Sequence, residues 1–333
     1  MAQLVEGQWR DTAPAAEEIG KDGSFKRIDS TIRDRIELDE DAQFPAEAGR
    51  YHLFVSWVCP WASRATAYRK LKGLEEIVTL SASQAAIGDQ GWMFAHDTIA
   101  PFQAPHPLYR IYQEHDARYT GKATVPVLWD KTTRRIVNNE SAEIIRILGT
   151  AFDAITGNDL DLYPEPLRGV VDDWNERIYP GLNNGVYRAG FAKSQDAYQA
   201  AVAGVFDTLD AMEAHLAANR YLAGEYCTEA DWRAFTTLVR FDAAYHYAFK
   251  CNLRRLADYP ALSGYLRELY HWPTEHGTIA ETVKLDQIKH GYWHLADPGG
   301  TIAVGPVLDL DAPHAREHLT GRGICKRGEG IIP

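Results

Sequence analysis

The stretch YHLFVSWVCPWASRATAYRKLKG (residues 51–73) sets Cys59 directly before a proline, between an apolar extended run and a basic, alanine-rich run. This order puts the thiol between a strand and a helix, at the helix N-terminus, where backbone N–H groups without partners and the positive end of the dipole favour an anion. Proline suits the next position because the first helical residue can dispense with its N–H. A thiol held there is biased toward the nucleophilic thiolate at neutral pH. In a dithiol redox site a second cysteine would stand three positions on, but that residue is Ala62. A mixed disulfide at Cys59 therefore needs a thiol from outside the chain to resolve it, and glutathione is the abundant cytosolic one. The competing reading, a buried small hydrophobe, is kept for Cys227, Cys251 and Cys325, which lack such a context.

The elements that must position this thiol follow from the surrounding pattern. YHLFVS reads as a strand, PWASRATAYRKLK as a helix closed by Gly73, and EIVTLS as the next strand, a βαβ unit. Arg69, Lys70 and Lys72 stand at the end of that helix, where cations offset its negative terminus. After a long aromatic and proline-containing segment (88–120), TVPVLWD and RRIVN read as a β-hairpin and ESAEIIRIL as a helix. The order βαβ then ββα is that of a thioredoxin-like domain. A polar link (149–166) leads into an all-helical region, in which Thr228 and Asp231 form a capping box. The expected organisation is an extended arm over 1–45, lying on the folded body or a neighbouring subunit. An α/β thioredoxin-like N-terminal domain then spans 46–150, an all-α C-terminal domain 167–285, and a Gly- and Pro-rich tail, 286–333, wraps the surface.

Composition narrows the class of function. With 333 residues, 45% of them hydrophobic, the chain can bury a large core. Its net charge of −11 gives no general attraction to nucleic acid or anionic membrane surfaces. No stretch has the pattern of a secretory signal or a bilayer span, so the expected location is cytoplasmic. The four cysteines have no metal-ligand spacing, and the His and Glu residues of HWPTEH are wrongly spaced around Pro273, so no metal is expected. GRGICKRGEG lacks the order of a phosphate-binding loop.

Several blocks in one order, YHLFVSWVCPWASR, GWMF, TVPVLWD, IVNNESAEIIR, NNGVYRAGFA, TEADWR and FKCNLRRLADYP, resemble the glutathionyl-hydroquinone reductases, the Xi class of glutathione transferases. The resemblance covers residues 25 to 293. It implies the glutathione transferase architecture, a homodimer, and glutathione as co-substrate with an S-glutathionyl-hydroquinone as substrate. The implied chemistry is attack of Cys59 on the substrate sulfur, loss of the hydroquinone, and release of oxidised glutathione by a second glutathione. Alternatives on the same fold are an omega-like thioltransferase or dehydroascorbate reductase, and a noncatalytic module that binds glutathione or a protein partner.

The resemblance also assigns residues. Tyr187 in NNGVYRAGF matches a tyrosine expected to pass a proton to and from the ring carbon, because an aromatic carbon leaves only if protonated. Tyr245 and Tyr292 match two further tyrosines near the thiol. In TVPV, Thr124, Val125 and Pro126 form a segment whose backbone at Val125 pairs with glutathione like an added strand, with the bond before Pro126 cis. Trp92 matches a tryptophan that lies against glutathione, and Lys122 stands where a cation can reach a carboxylate, although a lone lysine is as a rule simply solvated. Glu140 and Ser141 suit the γ-glutamyl amine and carboxylate, while spacing alone supports plain helix capping by Asn139 and Ser141 equally well. The chain departs from the family at Ser63, where many members have histidine, and in the tail sequence DPGGTIAVGP.

Overall fold

The structure is a computed structural model that describes residues 3–10, 18–96 and 99–331. The chain divides into two compact units. The first is drawn from Met1–Glu17, Ile28–Asn158 and Thr282–Leu295, the second from Glu18–Arg27, Asp159–Glu281 and Ala296–Pro333.

The first unit opens with a hairpin, β1 (Gln3–Val5) and β2 (Gln8–Arg10). It then forms β3 (Tyr51–Val55), α1 (Pro60–Leu71), β4 (Thr79–Ala82), the short β5 (Met93–Phe94) and β6 (His106–Pro107), and α2 (Tyr109–His115). β7 (Val127–Asp130), β8 (Arg135–Asn138), α3 (Ser141–Leu148) and the single turn α4 (Asp153–Thr156) follow. The sheet order is β4-β3-β7-β8, with β3 parallel to β4 and antiparallel to β7, and β7 antiparallel to β8. This is the expected βαβ then ββα arrangement, and all five residues of the interior strand β3 are buried. Because side chains alternate across a strand, His52 and Phe54 share one face. There Phe54 meets Phe94 at 5.2 Å and His106 at 6.2 Å between ring centroids, so the aromatic segment after residue 88 supplies the cover of that face. α1 and α3 pack on each other.

Three features differ from the sequence expectation. Part of the N-terminal arm is regular: the β1–β2 hairpin bonds to Gly121 through Leu4, and Trp9 stacks on Tyr109 at 4.6 Å. Further on, Ile32 and Asn139 exchange backbone and side-chain bonds, and Arg33 forms a forked pair with Glu143. The start of the tail is a helix, Leu285–Ala296, which belongs with the first unit up to Leu295. Finally, the cations ending α1 have specific partners rather than only the dipole. Arg69 donates to the carbonyls of Val78 and Glu75, Lys70 pairs with Glu75 at 3.0 Å, and the buried Lys72 pairs with Asp153 at 3.0 Å.

The second unit holds β9 (Leu160–Asp161), α5 (Arg168–Ile178), α6 (Gly185–Phe191), α7 (Gln195–Leu216), α8 (Glu229–Leu238), α9 (His246–Ala248) and α10 (Pro260–Tyr270). The capping box at α8 forms as expected, and Asp231 also accepts from Leu222 N–H and the Tyr265 hydroxyl. The sequence suggests one continuous helix from Thr228 onward, but the chain widens into a π-helical turn at Phe241–Tyr245, with Tyr245 N–H reaching back five residues to Arg240 O. A second such turn, Tyr179–Asn183, contains Pro180 and joins α5 to α6. The segment HWPTEH becomes a small hairpin, β10 (Pro273–Thr274) with β11 (Gly277–Thr278). The end of the tail is anchored: β12 (Cys325–Lys326) pairs with β9, and buried Arg316 binds Glu268 and the carbonyls of Leu216, Asn219 and Arg220 at the end of α7.

Candidate active site

Cys59 is the N-cap of α1, in extended conformation (φ −77°, ψ 120°), with Pro60 at the first helical position. The side chain is half-buried. Its sulfur makes no capping bond to the first turn. It points instead at the Val125 carbonyl oxygen, 3.6 Å away. The helix mouth is as expected, while the hydrogen-bond partner comes from another part of the sheet. The backbone C=O of Cys59 accepts from Ser63 N–H, which starts the helical ladder, and the Ser63 hydroxyl is buried with no hydrogen-bond partner among the described residues.

Val125 precedes a cis peptide bond to Pro126 and stands just outside β7, where no hydrogen bond among the described residues engages its N–H. An extended ligand backbone can therefore pair there without displacing a strand. Tyr112, on α2, holds this segment. Its hydroxyl donates to Thr124 O at 2.8 Å and accepts from Thr124 N–H at 3.3 Å and from the Asn139 amide at 3.2 Å. Burial pushes this phenol up to about 12, so it stays protonated and remains a donor at neutral pH.

At the head of α3 the N-cap is Glu140, whose carboxylate accepts from Ala142 N–H at 3.0 Å and from the Ser141 hydroxyl at 3.4 Å. Plain capping by Asn139 or Ser141 is thus not what forms. Asn139 instead is spent on Ile32 and Tyr112. The Ser141 hydroxyl in turn accepts from Arg64 at 3.3 Å, and Arg64 lies 4.7 Å over the Trp61 ring with almost no exposure. Arg64 places a fixed positive charge against the N-terminus of α3, an arrangement that suits a carboxylate. Neither Arg64 nor Tyr112 carries a signal in linear sequence, since an arginine in an alanine-rich helix and a tyrosine in an aromatic segment are unexceptional.

The remaining residues divide between the units. In the first, Trp92 and Lys122 are half-buried. The Trp92 carbonyl is fixed by Leu108 N–H. Tyr292, 4% exposed, lies on the helix Leu285–Ala296, whose Gly291 packs on Val58, the residue before Cys59. In the second unit Tyr187 on α6 and the buried Tyr245 on the π-helical turn come together, with ring centroids 6.2 Å apart, and both contact Phe249. Among the described residues, no group of three or more His, Cys, Asp or Glu side chains could hold a metal ion, and no helix is long and apolar enough to cross a membrane.

Comparison with known proteins places this geometry. Residues 58–151 match the glutathione S-transferase N-terminal domain, and residues 195–268 match the glutathione S-transferase C-terminal domain. The glutathionyl-hydroquinone reductase PcpF of Sphingobium chlorophenolicum is 45% identical over 93% of this chain and 98% of its own. The glutathionyl-hydroquinone reductase YqjG of Escherichia coli is 44% identical over 95% and 99%. The glutathione-bound structure of YqjG superposes with a TM-score of 0.83 at 42% identity, covering 94% of this chain and 98% of that one. A Xi class glutathione transferase from Natrialba magadii gives a TM-score of 0.86 at 42% identity, covering 97% and 98%. With an α/β domain that sets a cysteine at the mouth of its first helix, followed by a helical domain, this chain belongs to the glutathionyl-hydroquinone reductases, the Xi class of the glutathione transferases.

Proposed function

We propose that the protein is a glutathionyl-hydroquinone reductase that removes glutathione from S-glutathionyl-hydroquinones by way of a mixed disulfide at Cys59. The thiolate attacks the substrate sulfur, forming an S–S bond as the carbon–sulfur bond breaks. The electron pair of that bond goes to the ring carbon, which takes a proton from the Tyr187 hydroxyl, and the hydroquinone leaves. A second glutathione thiolate then attacks the glutathione sulfur of the mixed disulfide. Cys59 departs as thiolate, oxidised glutathione is released, and the proton of the second glutathione restores Tyr187. The sum is one S-glutathionyl-hydroquinone and one glutathione converted to hydroquinone and oxidised glutathione.

The observation that carries this reading is the juxtaposition of Cys59 with Val125, a nucleophile 3.6 Å from the carbonyl of a strand-like segment whose N–H is engaged by no hydrogen bond among the described residues. Glutathione docked on Val125 by its cysteinyl backbone brings its own sulfur to Cys59. Lys122 and Trp92 border the peptide, while Glu140 and Ser141, backed by Arg64, receive the γ-glutamyl end. Tyr245 and Tyr292 supply hydroxyls that stabilise sulfur and phenolic oxygen. The relatives named above, glutathionyl-hydroquinone reductases by name, support the same substrate class. The reaction as written needs no metal. A homodimer in the cytoplasm, where glutathione is abundant, is the corresponding assembly and location.

The test is Tyr187→Phe assayed on two substrates. Turnover of an S-glutathionyl-hydroquinone should fall by about 10² or more, the usual worth of a positioned general acid. Turnover of a small glutathione mixed disulfide, which has no carbon to protonate, should change little. Equal losses on both would overturn the assignment and favour a thioltransferase.

A further inference from the structure

We propose that Arg27 is a positioning residue for Tyr187, stabilising the charge that develops on the phenol as its proton leaves. This rests on the reading of Tyr187 given above and extends it to a residue on the N-terminal arm.

The guanidinium carbon of Arg27 lies 4.7 Å from the centroid of the Tyr187 ring and 5.8 Å from that of Phe25. Its Nε donates to the Asn184 side-chain oxygen at 2.9 Å, and Asn184 is the N-cap of α6, the helix that carries Tyr187. The cation is thus fixed over the ring from two directions. A phenol that loses its proton gains electron density across the ring, so a cation on the ring face favours the phenolate over the phenol. The proton moves from the Tyr187 oxygen to the ring carbon of the substrate and returns from glutathione, and Arg27 itself gains and loses nothing.

The arm is built to hold this contact. Residues Glu18–Arg27 fold into a turn in which Gly20 N–H bonds to Ser24 O, Lys26 N–H bonds to Glu18 O, and the Asp22 carboxylate accepts from Ser24. The turn is pinned to the start of α7: Lys193 N–H bonds to Gly23 O at 2.9 Å, and the Ser194 hydroxyl bonds to Asp22 O at 2.7 Å. Gly23 has φ +82°, and a Cβ there would lie 2.9 Å from the Ser194 side chain, so this close approach requires glycine. Phe25 packs on Phe191 at 5.2 Å. Arg27 from the arm and Tyr245 from the π-helical turn are set against Tyr187 within this unit. Phe191 and Phe249 are neutral, and α7 meets the neighbouring backbone through Val205 and Thr208.

The experiment compares wild type, Arg27→Met, Arg27→Lys, Tyr187→Phe and the Arg27→Met/Tyr187→Phe double variant, each checked by thermal melting and by turnover of a small glutathione mixed disulfide. With an S-glutathionyl-hydroquinone, Arg27→Met should lower kcat/KM about three- to tenfold and move the basic limb of its pH profile upward by roughly half a unit. Arg27→Lys should recover most of this loss, and Arg27→Met should cost nothing further when Tyr187 is already Phe. An independent readout is the tyrosinate absorbance of Tyr187, obtained as the pH difference titration of each protein against its Tyr187→Phe counterpart. Arg27→Met should shift that titration upward. An unshifted titration, or equal losses with and without Tyr187, overturns the proposal. A shifted titration together with a nonselective Tyr187→Phe supports the Arg27 contact while removing the proton-donor reading.

Discussion

The Cys59 sulfur lies 3.6 Å from the Val125 carbonyl oxygen across 66 residues of sequence, so the proposed nucleophile and the proposed docking segment meet at one end of the sheet, beyond its adjacent central strands β3 and β7. The other three thiols are in the opposite situation. Burial pushes Cys227 well above the ordinary thiol range, with Asp231 and Glu268 adding to it, and pushes Cys251 up to about 12 and Cys325 up to about 11. At neutral pH those three are almost wholly protonated and unreactive.

A neutral-pH pulse of iodoacetamide followed by peptide mass mapping should therefore label Cys59 first, and labelling should remove activity in proportion. Cys59→Ser should lose about 10³ or more in turnover, as removal of a nucleophile does. Comparable labelling of a second cysteine, or an active serine variant, would defeat the mechanism.

At the head of α3, the proposed second anchor, Ser141 accepts from Arg64 and donates toward Glu140. Ser141→Ala leaves α3 capped by Glu140, so the fold should persist. Loss of a hydrogen bond to a charged carboxylate should weaken glutathione binding by about tenfold, with kcat changed much less. Isothermal titration with glutathione checks this, and an unaltered dissociation constant would remove Ser141 from the binding set.

What was legible in the sequence was what is decided within a few residues. Cys59 and Pro60 define a helix start, Thr228 and Asp231 close a capping box, and the β7–β8 turn is local. What was not legible depends on partners far along the chain. Arg64 meets Ser141 77 residues away, Ile32 meets Asn139 107 residues away, and Arg27 meets Asn184 157 residues away. The helix Leu285–Ala296 is masked in sequence by the Gly- and Pro-rich tail around it, and the π-helical turn Phe241–Tyr245 has no sequence signal because its register is set by packing rather than by propensity.

His52 should make the first unit acid-sensitive. It is buried in β3, its Nδ1 lies 2.7 Å from the Thr79 hydroxyl, and burial, aided by nearby Lys131, Arg69 and His106, lowers it to about 3. The folded value lies below the unfolded value of about 6.5. The stability this neutral histidine contributes is therefore complete above pH ~6.5 and is lost as pH falls toward 3, at about 1.4 kcal/mol per pH unit. Urea unfolding at several pH values between 6.5 and 5 should show a slope reduced by roughly that amount in His52→Gln. Identical slopes would mean that another group governs the acid limb.

Gly291 offers the most direct test of how the C-terminal helix supports the thiol. A Cβ added there would lie 2.7 Å from both methyl groups of Val58 and 2.8 Å from Ala85 O, closer than packed carbons approach. Something must shift, and the candidates are the residue preceding Cys59 or the helix that carries Tyr292. Overpacking of this kind costs about 1–3 kcal/mol. Gly291→Ala should therefore lower the melting temperature and also reduce kcat/KM, because displacement of Val58 moves the N-cap. Adding Val58→Ala removes the methyl groups in conflict and should recover part of both losses, the part due to Ala85 O remaining. If Gly291→Ala melts and turns over like wild type, the helix does not position the site.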